Sequence, residues 1–174
     1  MAILSRVSCD YDPNEDRIRL TGEAEDGNTR VLWSSHRLLK RLLPHLLHRL
    51  ESNAVSDQAG MQSTASDISN SRQGFAQETA AAKIKLQNPV QADDSQLGYL
   101  IKEVDIKAND EGVALIFKYE AGDDTLVLGN EQLRQWLLIL HRIWQRTEWP
   151  QDFWPTWITG LGDKPPAGEN QGLH

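Results

Sequence analysis

Along residues 1–50 the spacing of apolar positions changes period once, and that change divides the segment into strands followed by a helix. Ile3, Val7 and Cys9 fall on alternating positions, the turn-forming run 12–16 (DPNED) follows, and Ile18, Leu20 and Ala24 alternate with Arg17, Arg19, Thr21 and Glu23. This reads as a hairpin. A second turn at 25–28 (EDGN) offers Gly27 for a positive φ, residues 29–33 (TRVLW) make a third strand, and Ser34 and Ser35 offer an N-cap. From 36 to 50 the period becomes helical. At about 100° per residue, Leu38, Leu39, Leu42, Leu43, Leu46, Leu47 and Leu50 share one half, with Arg37, Lys40, Arg41, His45 and His48 opposite. Pro44 falls in the polar half, the convex, solvent side on which a helix tolerates a proline kink.

The second half of the chain repeats this order. Residues 99–107 (YLIKEVDIK) and 113–120 (VALIFKYE) flank the turn NDEG, the turn AGDD follows, and 125–128 (TLVL) lead to Asn130 as the expected helix cap. Leu133, Trp136, Leu137, Ile139, Leu140, Ile143 and Trp144 then share a helical face, while Leu138 points the other way, beside Gln135 and Arg142, and is predicted exposed. One gap-free offset sets Asp10 on Asp105, Ile18 on Val113, Leu20 on Leu115, Glu25 on Glu120, Gly27 on Gly122 and Leu42 on Leu137. The expectation is therefore an α+β fold: two duplicated β-β-β-α units, 1–50 and 96–148, forming one pseudo-twofold domain with a mostly antiparallel sheet and two amphipathic helices. Either unit alone is too small for a secure core, so the two must share one.

Between the units, residues 51–95 are poor in large apolar side chains and rich in Ser, Ala, Gln and Asn, a composition that cannot offset its ordering entropy. Only the stretch FAQETAAAKIKLQ has the composition of a helix, which would dock through Phe75, Ile84 and Leu86. The tail, 149–174, gathers Trp149, Phe153, Trp154, Trp157 and Ile158 between Pro150 and Pro155 before a Gly/Pro-rich end that reads as disordered. Two readings stand for this cluster. It folds back over its own sheet, or it anchors a partner, tryptophan being enriched in interface hot spots.

Charge narrows the partners. A formal charge of −7 and a pI near 5.2 repel double-stranded nucleic acid and anionic membranes from the surface as a whole. Arg37, Lys40, Arg41 and Arg49 stand against this balance on one helix that carries no acid from 36 to 50. The N-terminus has neither the basic start nor the apolar run of a secretory signal, and no stretch is long and apolar enough to span a bilayer, so a soluble cytoplasmic protein is expected.

Catalytic and metal motifs are not legible. Cys9 is the single cysteine, which excludes a disulfide framework, and at an alternating position beside Val7 it reads as a small buried hydrophobe. His45 and His48 are three apart on a helix, but no HExxH pattern accompanies them and Arg41 and Arg49 oppose a cation. Ser34-Ser35-His36 lacks a nucleophile elbow, and GLGD at 160–163 lacks the strand and the Lys-Ser/Thr of a phosphate loop. No cofactor or metal is expected. The leading expectation is a non-enzymatic protein-interaction module, an assembly factor or accessory subunit. It would bind a protein partner or a second copy of itself through Trp149, Phe153, Trp154, Trp157 and Ile158, through Arg37, Lys40 and Arg41, or through an open sheet edge. The alternatives are an enzyme with a small-molecule pocket between the units, marked by a buried polar cluster at their junction, and single-stranded nucleic-acid binding by Trp33, Phe117 and Tyr119 beside Arg37 and Arg41.

Overall fold

The computed structural model describes residues 1–55, 65–84, 88–92 and 98–161. The order of elements is β1 (Ala2–Asp12), β2 (Arg17–Ala24), β3 (Thr29–Ser35), α1 (His36–Val55), α2 (Ala65–Ala82), β4 (Tyr99–Leu100), β5 (Glu103–Asn109), β6 (Gly112–Tyr119), β7 (Gly122–Gly129), α3 (Asn130–Trp144) and α4 (Thr156–Thr159). The predicted turns form where side chains can close them. Gly27 adopts φ +80° while Asp26 accepts the Asn28 N–H at 2.9 Å, and Asn109 Oδ1 accepts the N–H groups of Glu111 and Gly112 at 3.0 Å each.

The fold is α+β, with a single seven-stranded sheet in the order β4-β3-β2-β1-β7-β6-β5. The sheet is mixed, not mostly antiparallel as expected. Within β1-β2-β3 and β5-β6-β7 every pairing is antiparallel, but the junctions β1·β7 and β3·β4 are parallel. The reason is topological: β1 and β7 are far apart in the chain, and β3 reaches β4 through a long connection that contains α1 and α2, so no hairpin dictates either direction. The sheet also curls. Residues 99–109 run along both of its ends, since β4 pairs with β3, the Ile101 N–H donates to the Trp33 carbonyl, the Lys102 N–H donates to that of Lys118, and β5 then pairs with β6.

Ile18, Leu20, Leu32, Leu115, Phe117 and Leu126 of the strands are buried against Leu39, Leu43 and Leu46 of α1 and Leu133, Leu137 and Leu140 of α3. Both helices start as amphipathic logic requires, with one change of cap. Ser35 Oγ accepts the Leu38 N–H at 3.3 Å, as expected for α1. At α3 the cap is Gly129 rather than Asn130: Gln132 Oε1 reaches back to the Gly129 N–H at 2.9 Å, and Asn130 instead donates to the Asp110 carbonyl.

Three further expectations are corrected. Leu138 is fully buried, because α3 is packed on two sides, by the sheet and by α2 and α4. Of the expected contacts Phe75 fails, being 73% exposed, whereas Ile84 packs on the core near Ala80 and Ala81; α2 is held by amides as well: Gln73 Nε2 donates to the Leu50 carbonyl, Gln77 Nε2 to that of Arg134, and Gln73 Oε1 accepts from Arg134. Leu86 lies outside the described residues. In β1 it is Leu4 that enters the core, while Ile3 is 42% exposed. A register shift between Leu4 and Arg6, with Ser5 as the extra residue, reverses the strand's parity there.

Candidate binding groove beside β1

The bulge at Ser5 has a second effect, because a bulged strand bends. β1 pairs with β7 only at Ala2, Ile3 and Leu4, and beyond the bulge the two strands part. From Arg6 to Asp12, β1 is bonded to β2 on one side and, among the described residues, to no strand on the other. In a strand edge of this kind, alternate N–H and C=O groups point away from the partnered side.

A groove of about 590 Å³ lies along this edge. One wall is apolar: Val7 and Cys9, on the core face of β1, meet Ile84 and, from α3, Trp136 and Ile139. The other wall belongs to the outer sheet face, with Arg6, Ser8 and Asp10 beside Arg19 and Thr21 of β2, under the segment Asn88–Ala92. That segment is fixed by the Val90 N–H, which donates to Ser8 Oγ at 2.8 Å, and by burial of the Val90 side chain.

The groove is cationic on an acidic chain. Among the described residues Arg6, Arg19 and Arg142 line it against one carboxylate, that of Asp10, which Arg146 engages at 3.0 Å. Arg6 pairs with Glu23 at 3.1 Å across two half-exposed side chains, an ion pair of little strength. Arg19 stacks its guanidinium 6.0 Å from the Trp33 ring centroid and keeps a buried Nε without a hydrogen-bond partner among the described residues. Arg142 makes no ion pair among them. Burial pushes the Cys9 thiol up to about 12, against a partial pull from the Trp136 indole, so at neutral pH it is an uncharged thiol with no nucleophilic character.

The residues singled out from sequence are not brought together. Trp149, Trp154 and Trp157 are 5–7% exposed, Ile158 is fully buried and Phe153 is half-buried, all packed on the chain's own core. Their centre is Trp144, whose ring meets His36, Trp149, Phe153 and Trp154 at centroid distances of 4.8–5.8 Å. Three of the four indole N–H groups are tied down as well: Trp144 donates to the Pro150 carbonyl, Trp149 to Asp16 and Trp157 to Glu51, while that of Trp154 is buried without a partner among the described residues. Arg37, Lys40 and Arg41 lie elsewhere, exposed along α1, and make no ion pair among the described residues. Arg49 departs from them, donating to the carbonyls of Asn109 and Gly112.

His45 and His48 are exposed, whereas His36 stacks on Trp149 at 4.7 Å, so the three histidines do not converge. Among the described residues no cluster of His, Cys, Asp or Glu has the makings of a metal site. A buried polar cluster does occupy the β1·β7 junction, but its bonds are complete. Asp124 Oδ1 accepts the Ala2 N–H at 3.0 Å, Oδ2 accepts the Tyr119 hydroxyl at 2.8 Å, and Arg30 stands 3.9 Å away. Burial, then Asp124, pushes Tyr119 up to about 12. The cluster pins two strands together and presents no free acid or base.

For stacking of single-stranded nucleic acid, Phe117 is buried, Tyr119 is stacked on Tyr99 at 4.9 Å and Trp33 carries Arg19. No helix of the described residues is long and apolar enough to cross a membrane. Comparison with known proteins finds no matching family, no similar characterised protein and no solved structure of matching fold.

Sequence reasoning did not find the groove. Its residues are ordinary arginines and a half-buried strand, and the only local signal is parity: Leu4 and Val7 can share a face only if one residue between them is extra.

Proposed function

We propose that this protein is a non-enzymatic interaction module that receives an extended segment of a partner protein along the open edge of β1. One observation carries the reading: a strand that from Arg6 to Asp12 has, among the described residues, no strand partner on its outer side, with only the Tyr11 N–H there turned back onto Asp10 Oδ1, lines a groove that has walls on both sides. Strand addition to such an edge supplies affinity from the main chain and selectivity from the walls. The five β1 residues that line the groove, Arg6 to Asp10, correspond to about 17 Å of strand, the span of an ordinary strand of about five residues. The exposed Arg37, Lys40 and Arg41 on α1 are a second contact for an acidic partner surface in the same reading.

The scaffold is read as a duplication of β-β-β-α, folded as one domain with an approximate twofold. Supporting this, the two parallel junctions are of one kind. Each joins the first strand of one unit, β1 or the β4–β5 segment, to the third strand of the other, β7 or β3.

The test is site-specific photo-crosslinking in cells of the native host, with the reactive side chain at Gln91 on the groove rim, at Lys40 on α1, or at Arg72 on α2 as a control. A discrete adduct at Gln91, absent at Arg72, is the expected result. Adducts at Arg72 equal to those at Gln91, or none at Gln91, contradict the reading.

A further inference from the structure

The two walls of the groove differ in chemistry, and a strand laid between them presents alternate side chains to each. We infer that the partner segment is an extended peptide in which apolar residues alternate with acidic ones. This rests on the strand-addition reading above and adds the chemistry of the occupant. Residues directed to the α3 side meet Val7, Trp136, Ile139 and Ile84, an apolar surface whose one charge is Arg142, one helical turn beyond Ile139 on α3. Those directed to the outer side, one residue out of phase, meet Arg6 and Arg19.

Among the described residues the arginines are poorly matched. Asp10 is the one carboxylate of these that lines the groove and is held by Arg146, while Glu23 holds only Arg6. A carboxylate arriving here gains a planar, multi-donor partner that stays charged at any physiological pH. A polynucleotide also carries negative charge, but it offers no backbone groups in strand geometry.

The experiment is an NMR titration of the full chain with three probes: a short peptide of alternating valine and glutamate, its valine–lysine counterpart, and a single-stranded oligothymidylate. The acidic peptide is expected to shift and protect the amides of residues 6–10. The lysine peptide should bind at least about tenfold more weakly, and added salt should weaken the acidic complex. Arg142→Glu and, separately, Arg6→Glu should each weaken the acidic peptide about tenfold while leaving the far-UV spectrum unchanged. Two variants guard against one misfolding. Equal binding of both peptides, with β1 amides protected, overturns the acidic chemistry and leaves strand addition standing. Binding of neither peptide overturns both readings, and tighter binding of the oligothymidylate overturns the peptide in favour of nucleic acid.

Discussion

Trp144 carries more of this structure than any other single side chain: it is fully buried, it donates to the Pro150 carbonyl, and four aromatic rings pack around it. Truncating it leaves a large cavity and an unpaired carbonyl. Trp144→Ala is expected to cost about 3–5 kcal/mol in urea unfolding, and a loss under about 1 kcal/mol contradicts the packing described. Cys9 gives a second prediction at this scale. Burial raises its pKa from an ordinary 9.0 to about 12, so above pH 9 the unfolded chain releases a proton that the folded one retains. Stability from this group is therefore complete below pH 9 and lost as pH rises toward 12. Tyr119, raised from 10.0 to about 12, adds loss over the upper part of the same window. Denaturation midpoints measured from pH 8 to 11 should fall, and should fall less steeply in Cys9→Ala; identical slopes would refute the burial assigned to the thiol.

At the scale of elements, the tail is the informative piece. Trp149, Trp154, Trp157 and Ile158 are buried against α1, α3 and the β1–β2 turn, where Asp16 accepts both the Tyr11 hydroxyl and the Trp149 indole N–H. A chain ending at Glu148 should lose its cooperative thermal transition in circular dichroism, because it exposes the faces of Trp144, His36 and His141 together. A truncation that melts as the full chain does would return the tail to the role of a partner anchor.

Apart from 99–107, read as one strand and divided in the structure between β4 and β5, the strands, their turns and the leucine faces of α1 and α3 were legible because period-2 and period-3.6 patterns follow from one buried face. What was not legible has specific causes. The extra residue at Ser5 moves the core position from Ile3 to Leu4, and α2 is held by Gln73 and Gln77 bonding to helix carbonyls, beside apolar contacts as small as Ala80 and Ala81, which make a weak stripe to read. Leu138 was misread because a helical wheel assumes one buried face, and α3 has two neighbours.

At the scale of the whole molecule, the proposed function depends on where strands stop pairing. That information lies in three-residue and two-residue junctions, β1·β7 and β3·β4, whose partners are distant in sequence and leave no composition to detect. The polar outer side of β1 could be read from the chain, but its position under Asn88–Ala92 and beside α3 could not. The arginines illustrate the same limit: Arg37, Lys40 and Arg41 stood out by clustering along one helix, whereas Arg6, Arg19 and Arg142 meet only in three dimensions. The central claim is that β1 keeps an unpaired edge. Residue-resolved amide hydrogen exchange of the free protein tests it most directly. Slow exchange is predicted at both faces of β2, with alternation along residues 6–12 of β1, where amides directed to β2 are protected and those directed into the groove exchange fast. Uniformly slow exchange along this stretch would mean that the edge is already covered and the groove closed to a partner strand.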